Sequence, residues 1–252
     1  MWNRPQLILM KAVADLLFMA SAVALLAVVV VWVARLPLFP IREVAILGNL
    51  KEVQRGDIEQ SLSESLQGNF FSVDLEKVRL SMEQLPWVRN AEARRQWPAD
   101  IEVNIEEHIP VAFWGEATGQ LVNSRGEIFM AEMQTTRGEN MPILQGPSGF
   151  VPEILGFYQQ AVELLEPTRR WPMALNMSPR LALQLRLDDG MVIELGRSQA
   201  KAPIHERLAR FVTYYSTVLE IASKQPSVVD MRYPQGFVLR AAVQETESEG
   251  TP

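Results

Sequence analysis

Two histidines, two acidic pairs and two basic pairs are the side chains in this 252-residue sequence whose types could do chemistry. A catalytic histidine needs a group to exchange protons with and a second group that orients its ring. His108 closes a strand-like pattern beside Pro110, and His205 falls on the polar side of a helical pattern. They lie far apart in the chain, and neither has a metal-type partner close in sequence. Glu106-Glu107 could serve a hydrolase only if both carboxylates met one substrate. At the end of an alternating strand, successive side chains point to opposite faces. Asp188-Asp189 precedes Gly190 and reads as turn chemistry. There are no cysteines, which removes disulfides, thiolate catalysis and cysteine zinc sites. The glycines form neither GxGxxG nor a phosphate loop. The sequence thus offers no catalytic, cofactor-binding or metal-binding residue. A net charge of −6 also argues against a global grip on nucleic acid.

What is left is surface. Arg94-Arg95 and Arg169-Arg170 read as solvated faces or, more pointedly, as docking patches. Trp87, Trp97 and Trp114 are expected to pack in a core or between domains, because a Trp buries a large area. Trp32 stands near the outer end of an apolar run, where interfacial aromatics are enriched.

That run, residues 16–34, has 19 residues without a charge, bounded by Asp15 and Arg35. As a helix it spans about 28 Å, close to the hydrocarbon thickness of a bilayer. Eleven of its residues are Leu, Phe or Val, which contribute about −3 to −7 kcal/mol toward insertion. A cleaved signal peptide is the competing reading. Small-x-small triplets such as Ala20-Ser21-Ala22 lie inside the run rather than after it, which favours a retained transmembrane helix. Arg4 and Lys11 before the span nearly balance Arg35 and Arg42 after it, so charge leaves the orientation open. The short N-terminal tail points to an N-terminus inside.

After a proline-bounded exit at 35–40, residues 41–47 alternate as a strand and end at Gly48-Asn49. Helical spacing follows through Ile58, Leu62 and Leu66, then through Leu75, Val78 and Met82, with Ser72 as the candidate N-cap of the second helix. Strands at 88–95 and 101–107 flank a turn at Trp97-Pro98-Ala99-Asp100. The order is β-α-α-β-β. Past Pro110 strands dominate. A hairpin turns at Asn123-Ser124-Arg125-Gly126, residues 131–140 read as a loop and 141–144 as a strand. A helix covers 152–165, and a second hairpin turns at Asp188-Asp189-Gly190. Residues 204–223 read as one helix with an apolar stripe of Ile204, Leu208, Phe211, Val212, Tyr215, Val218, Leu219 and Ala222. Strands at 227–233 and 237–243 come last, before a polar stretch, 244–252, expected to be disordered. The fold class is α+β. The expected division is a tail at 1–15, a span at 16–34, a linker at 35–40, a first domain at 41–110 and a β-rich domain with flanking helices at 111–243.

The strand at 227–233 is expected at a sheet edge, where unpaired backbone groups can accept a partner's strand. A strand paired on both sides is the alternative.

One span, the βααββ unit and a β-rich domain, together with REVAILGN (42–49), LPWVRNAEARRQWP (85–98), EEHIPVAFW (106–114), LDDGMVIELGR (187–197), RLARF (207–211) and VDMRYPQGF (229–237), resemble the FtsQ family of bitopic cell-division proteins. The βααββ unit is similar to a POTRA domain. The resemblance covers nearly the whole chain. It implies a bacterial inner-membrane protein with a cytoplasmic N-terminus and a periplasmic bulk, acting at the division septum without catalytic activity. It implies FtsB and FtsL as direct partners, FtsK upstream, and the septal peptidoglycan synthase pair FtsW and FtsI downstream. It assigns recruitment to Asn90, Ala93 and Arg95. Strand addition by FtsB is assigned to Arg232, Tyr233, Gly236 and Phe237, with Arg180 as a neighbour. Pro234 has no N–H to give to such a ladder.

Two other readings stand beside it. A POTRA-type periplasmic assembly or transport factor would carry tandem units or a β-barrel. A wall hydrolase would need a paired acid and base.

Overall fold

The structure, a computed structural model, describes residues 4–34, 39–115, 119–132, 141–199, 202–221, 228–233 and 236–240. Residues 133–140 of the expected loop, 222–223 of the expected helix, 241–243 of the last expected strand, the polar stretch at 244–252, and Ser227 and Pro234 lie outside these residues. The chain divides into two compact units between Glu107 and His108.

The first unit opens with α1 (Arg4–Ala34). Its residues Lys11–Val33 form a candidate membrane span of 23 residues, none of it buried. At 1.5 Å per residue it is about 35 Å long, enough to cross about 30 Å of hydrocarbon. The helix starts well before residue 16 and takes in most of the segment expected as a tail.

Next come β1 (Val44–Leu47), α2 (Arg55–Ser65), α3 (Leu75–Glu83), β2 (Val88–Gln96) and β3 (Asp100–Glu107). The sheet order is β1-β3-β2, with β1 parallel and β2 antiparallel to β3. The alternation in β3 sets the core. Ile101, Val103 and Ile105 are buried with Ile58 and Leu62 of α2 and Val78 and Met82 of α3. Each side chain so buried contributes about 1.5–3 kcal/mol. The cap of α3 is Asp74, whose Oδ1 accepts the amides of Glu76 and Lys77 at 3.1 Å each. Ser72 instead closes the preceding loop, donating to Asn69 Oδ1 at 2.9 Å. Asp74 caps because it directly precedes the first helical residue. Glu106 and Glu107 face two ways, as strand geometry requires. Glu106 meets Arg89 at 3.1 Å. Glu107 accepts the backbone amides of Lys51, Glu52 and Val53.

The second unit holds β4 (Pro110–Trp114), β5 (Gln120–Asn123), β6 (Ile128–Met130), β7 (Ile143–Gln145), α4 (Val151–Leu165), β8 (Pro172–Met177), β9 (Ala182–Leu187), β10 (Val192–Arg197), α5 (Ile204–Thr213), α6 (Tyr215–Ile221), β11 (Val228–Asp230) and β12 (Val238–Arg240). The described strands form one sheet ordered β12-β11-β10-β9-β8-β7-β4-β5-β6. Ile154, Leu155 and Leu165 of α4 and Leu208 and Phe211 of α5 join Leu144, Leu175, Leu185 and Ile193 in its core.

Further expectations are corrected. The helix expected at 204–223 is broken at Tyr214, whose φ of −101° and ψ of 12° leave the helical range although neither Gly nor Pro stands there. The strand β8 was not foreseen, since PMALNM carries no β-branched residue. The strand expected at 227–233 is only Val228–Asp230 and is not an edge. It lies between β10, to which it is parallel, and β12, to which it is antiparallel. Of the tryptophans, Trp114 is buried in the core, whereas Trp97 is 81% exposed.

Candidate partner-binding surface

The second unit's sheet ends in two edge strands, β6 and β12, and it is β12 that adjoins the residues assigned to strand addition. It pairs with β11 through Val228↔Arg240, Val229↔Leu239 and Asp230↔Val238. No strand among the described residues pairs with its other side. Val238 is 45% exposed.

Asp230 anchors the neighbourhood. It is buried, yet its carboxylate accepts from Arg232 Nε at 2.8 Å, from the Arg232 amide at 3.1 Å and from Arg240 Nη2 at 3.2 Å. The bonds from Arg232 hold the Asp230 carboxyl below its ordinary pKa, against the opposing effect of burial. The same carboxylate raises the pKa of Arg232. The aliphatic part of Arg232 crosses Gly196, where an added Cβ would come within 2.9 Å of Arg232 Cγ. Gly196 has φ +70°, a conformation that favours glycine. It follows a bulge in β10, between Glu194 and Gly196. Beneath lies Arg207, buried on α5. Its Nη1 donates to the carbonyls of Leu195 and Arg197, while Nε and Nη2 have no partner among the described residues.

Tyr233 follows, 53% exposed, its carbonyl accepting from Arg210 Nη1 of α5 at 3.2 Å. Phe237 is half-buried against the core, its ring 6.4 Å from that of Tyr214. Gly236 has open space where a Cβ would stand. Arg180 is exposed in the β8–β9 turn. Ala182 pairs with Arg197 and Gly196 lies under Arg232, so Arg180, Arg197 and Arg232 share one end of the sheet. The structure thus brings Arg180, Arg232, Tyr233, Gly236 and Phe237 to one sheet end, but only Phe237 adjoins the edge strand itself.

Asn90, Ala93 and Arg95 lie on β2, an edge of the first unit's sheet. They do not share a face. Ala93 and Arg95 pair with the buried Val103 and Ile101, and Asn90 pairs with Glu106 on the opposite side. Ala93 packs on the core. Arg95 is spent on its own fold, donating to the carbonyls of Phe70, Phe71 and Val73 at 2.7, 3.2 and 2.8 Å. Of the basic pairs, Arg170 is likewise engaged, with the Tyr215 hydroxyl at 2.9 Å and Asp189 at 3.2 Å.

Sequence reasoning missed Asp230, Arg207 and Arg210. The signal for Arg207 was present: it stands three residues after Ile204 and four before Phe211, within the apolar stripe. Asp230, between Val229 and Met231, differs only in being followed two residues on by an arginine.

Residues 39–108 match the family model of the FtsQ-type POTRA domain. Residues 112–232 match that of the C-terminal part of the cell division protein FtsQ/DivIB. Among curated relatives, the cell division protein FtsQ of Nitrosospira multiformis is 37% identical over 245 residues, covering 95% of this chain and 99% of its own length. That of Burkholderia pseudomallei is 34% identical over 242 residues, covering 96% and 95%. That of Escherichia coli is 29% identical over 214 residues, covering 83% and 75%.

Proposed function

The chain belongs to the FtsQ/DivIB family of cell-division proteins, and from that membership we propose that it is a non-enzymatic scaffold which binds FtsB and FtsL. In this reading the N-terminus is cytoplasmic, α1 crosses the inner membrane, and the POTRA unit at 41–110 and the β domain at 111–243 work in the periplasm at the septum. FtsK acts upstream in recruitment, with Asn90, Ala93 and Arg95 on the recruiting strand. FtsW and FtsI receive the signal downstream.

The observation that carries the reading is the edge of β12, unpaired on its outer side among the described residues, beside the exposed Tyr233. A partner strand laid along β12 gains backbone hydrogen bonds, and the flanking side chains select its sequence. Arg180, Arg197 and Arg232 line the same end of the sheet, so the strand best suited to it carries acidic residues. The correction to the strand assignment moves the pairing line from β11 to β12. Arg232 and Tyr233 then act as flanking contacts rather than as rungs of the ladder.

Capture from solubilised membranes with the full chain as bait tests this. FtsB and FtsL are expected among the recovered proteins. Recovery of neither by a folded bait overturns the scaffold reading.

A further inference from the structure

The first unit gathers its exposed aromatics where the chain arrives from α1. Phe39 is 40% exposed, Phe71 50% and Trp97 81%. The rings of Phe39 and Phe71 meet edge to face at 5.0 Å. The Phe70 amide donates to the Phe39 carbonyl at 3.0 Å, which fixes the loop at 69–73 beside the chain entry. Arg95 pins the same loop through the carbonyls of Phe70 and Phe71. Trp97 stands two residues beyond Arg95, and the Arg42 amide donates to the Ala99 carbonyl of its turn at 3.0 Å. Three large apolar side chains therefore sit outside the core at one tip, held there by hydrogen bonds. Soluble surfaces rarely leave aromatics so grouped without a use.

The tether identifies the occupant. Six Cα–Cα steps, across residues 34–38, separate Val33, the end of the candidate span, from Phe39. Fully extended they reach no more than about 22 Å. Phe39 is thus confined close to the headgroup layer, at a high effective concentration of lipid. Trp and Phe with one face apolar suit that layer. The exposed Arg42 lies beside them, with Arg94 paired to Glu102 nearby and Glu43 and Asp100 as opposing acids, and anionic headgroups favour the exposed cation.

We propose that the tip formed by Phe39, Phe71 and Trp97 docks on the membrane surface next to the span and fixes how the first unit stands over the bilayer. This rests on α1 being a membrane span. The test uses the full chain in vesicles of phosphatidylethanolamine and phosphatidylglycerol, with and without brominated acyl chains that quench nearby tryptophan. The emission removed by Trp97→Phe isolates Trp97, and that removed by Trp32→Phe isolates the end of the span. The expected result is loss of the Trp97 emission in brominated vesicles, with recovery of that emission in Phe71→Ser. Quenching of Trp32 but not of Trp97 overturns the docking and leaves the span intact. Quenching of neither overturns the span and the docking with it.

Discussion

Asp230 and Arg232 form a charge pair in which the acid is buried and the base is half exposed. The acid therefore depends on the pair for its hydrogen bonds, while the base keeps a side free for another molecule. Hydrogen bonds to charged groups contribute about 1.5–3 kcal/mol each. Asp230→Asn is expected to cost about that much in stability and to weaken FtsB binding by releasing Arg232 from its place. Chemical denaturation alongside a binding titration reads both.

The pair also carries a pH signature. The Asp230 carboxyl titrates below its ordinary value in the fold, so its contribution is fully present above the unfolded value of about 3.9. It is lost as pH falls through the lower folded value. The stability gap between the natural chain and Asp230→Asn is expected to be flat above about pH 5 and to close below about pH 4. A gap that widens on acidification contradicts the assignment.

Tyr233 offers a half-exposed ring whose backbone, not its hydroxyl, is tied to α5. Tyr233→Ala is expected to leave stability within about 0.5 kcal/mol. It is expected to weaken FtsB binding by about tenfold or more, the mark of an aromatic hot spot. Phe237→Asp, which places a charge against the core, weakens binding and stability together. Isothermal titration and thermal melts separate the two variants.

Gly196 combines a positive φ with the close passage of Arg232. Gly196→Ala is expected to destabilise by at least about 1 kcal/mol and to displace Arg232. A melting temperature equal to that of the natural chain rules the packing out.

Arg95 is expected to act in recruitment through the fold as well as by contact. Arg95→Ala removes three hydrogen bonds to carbonyls and should cost about 1–3 kcal/mol. Hydrogen exchange at residues 69–73 should rise. Unchanged exchange with impaired FtsK-dependent recruitment assigns Arg95 to direct contact alone.

Periodicity made most elements readable from the sequence. The alternation of Ile101, Val103 and Ile105 and the spacing of Val78 and Met82 are local signals, and the structure follows them. The pairing of β11 was not readable, because its neighbour β10 is set by a parallel, non-local ladder that leaves no trace in nearby residues. The break at Tyr214 and the strand β8 escaped for a related reason, since tertiary packing overrode weak local preference. At the candidate site the exposed residues came from family resemblance. The buried Asp230 and Arg207 that hold them were hidden, because a charged side chain reads as surface until its partners are known.

In the first unit the last strand in sequence, β3, is the middle strand in space. Its final residue, Glu107, also ties down the amides at 51–53. While the chain emerges vectorially, β1, α2, α3 and β2 have no sheet to join until β3 appears. The unit's sheet is therefore expected to close late and all at once, when β3 appears, with every one of its strands lying before residue 108. A chain ended at residue 107 is therefore expected to resist limited proteolysis over residues 41–107.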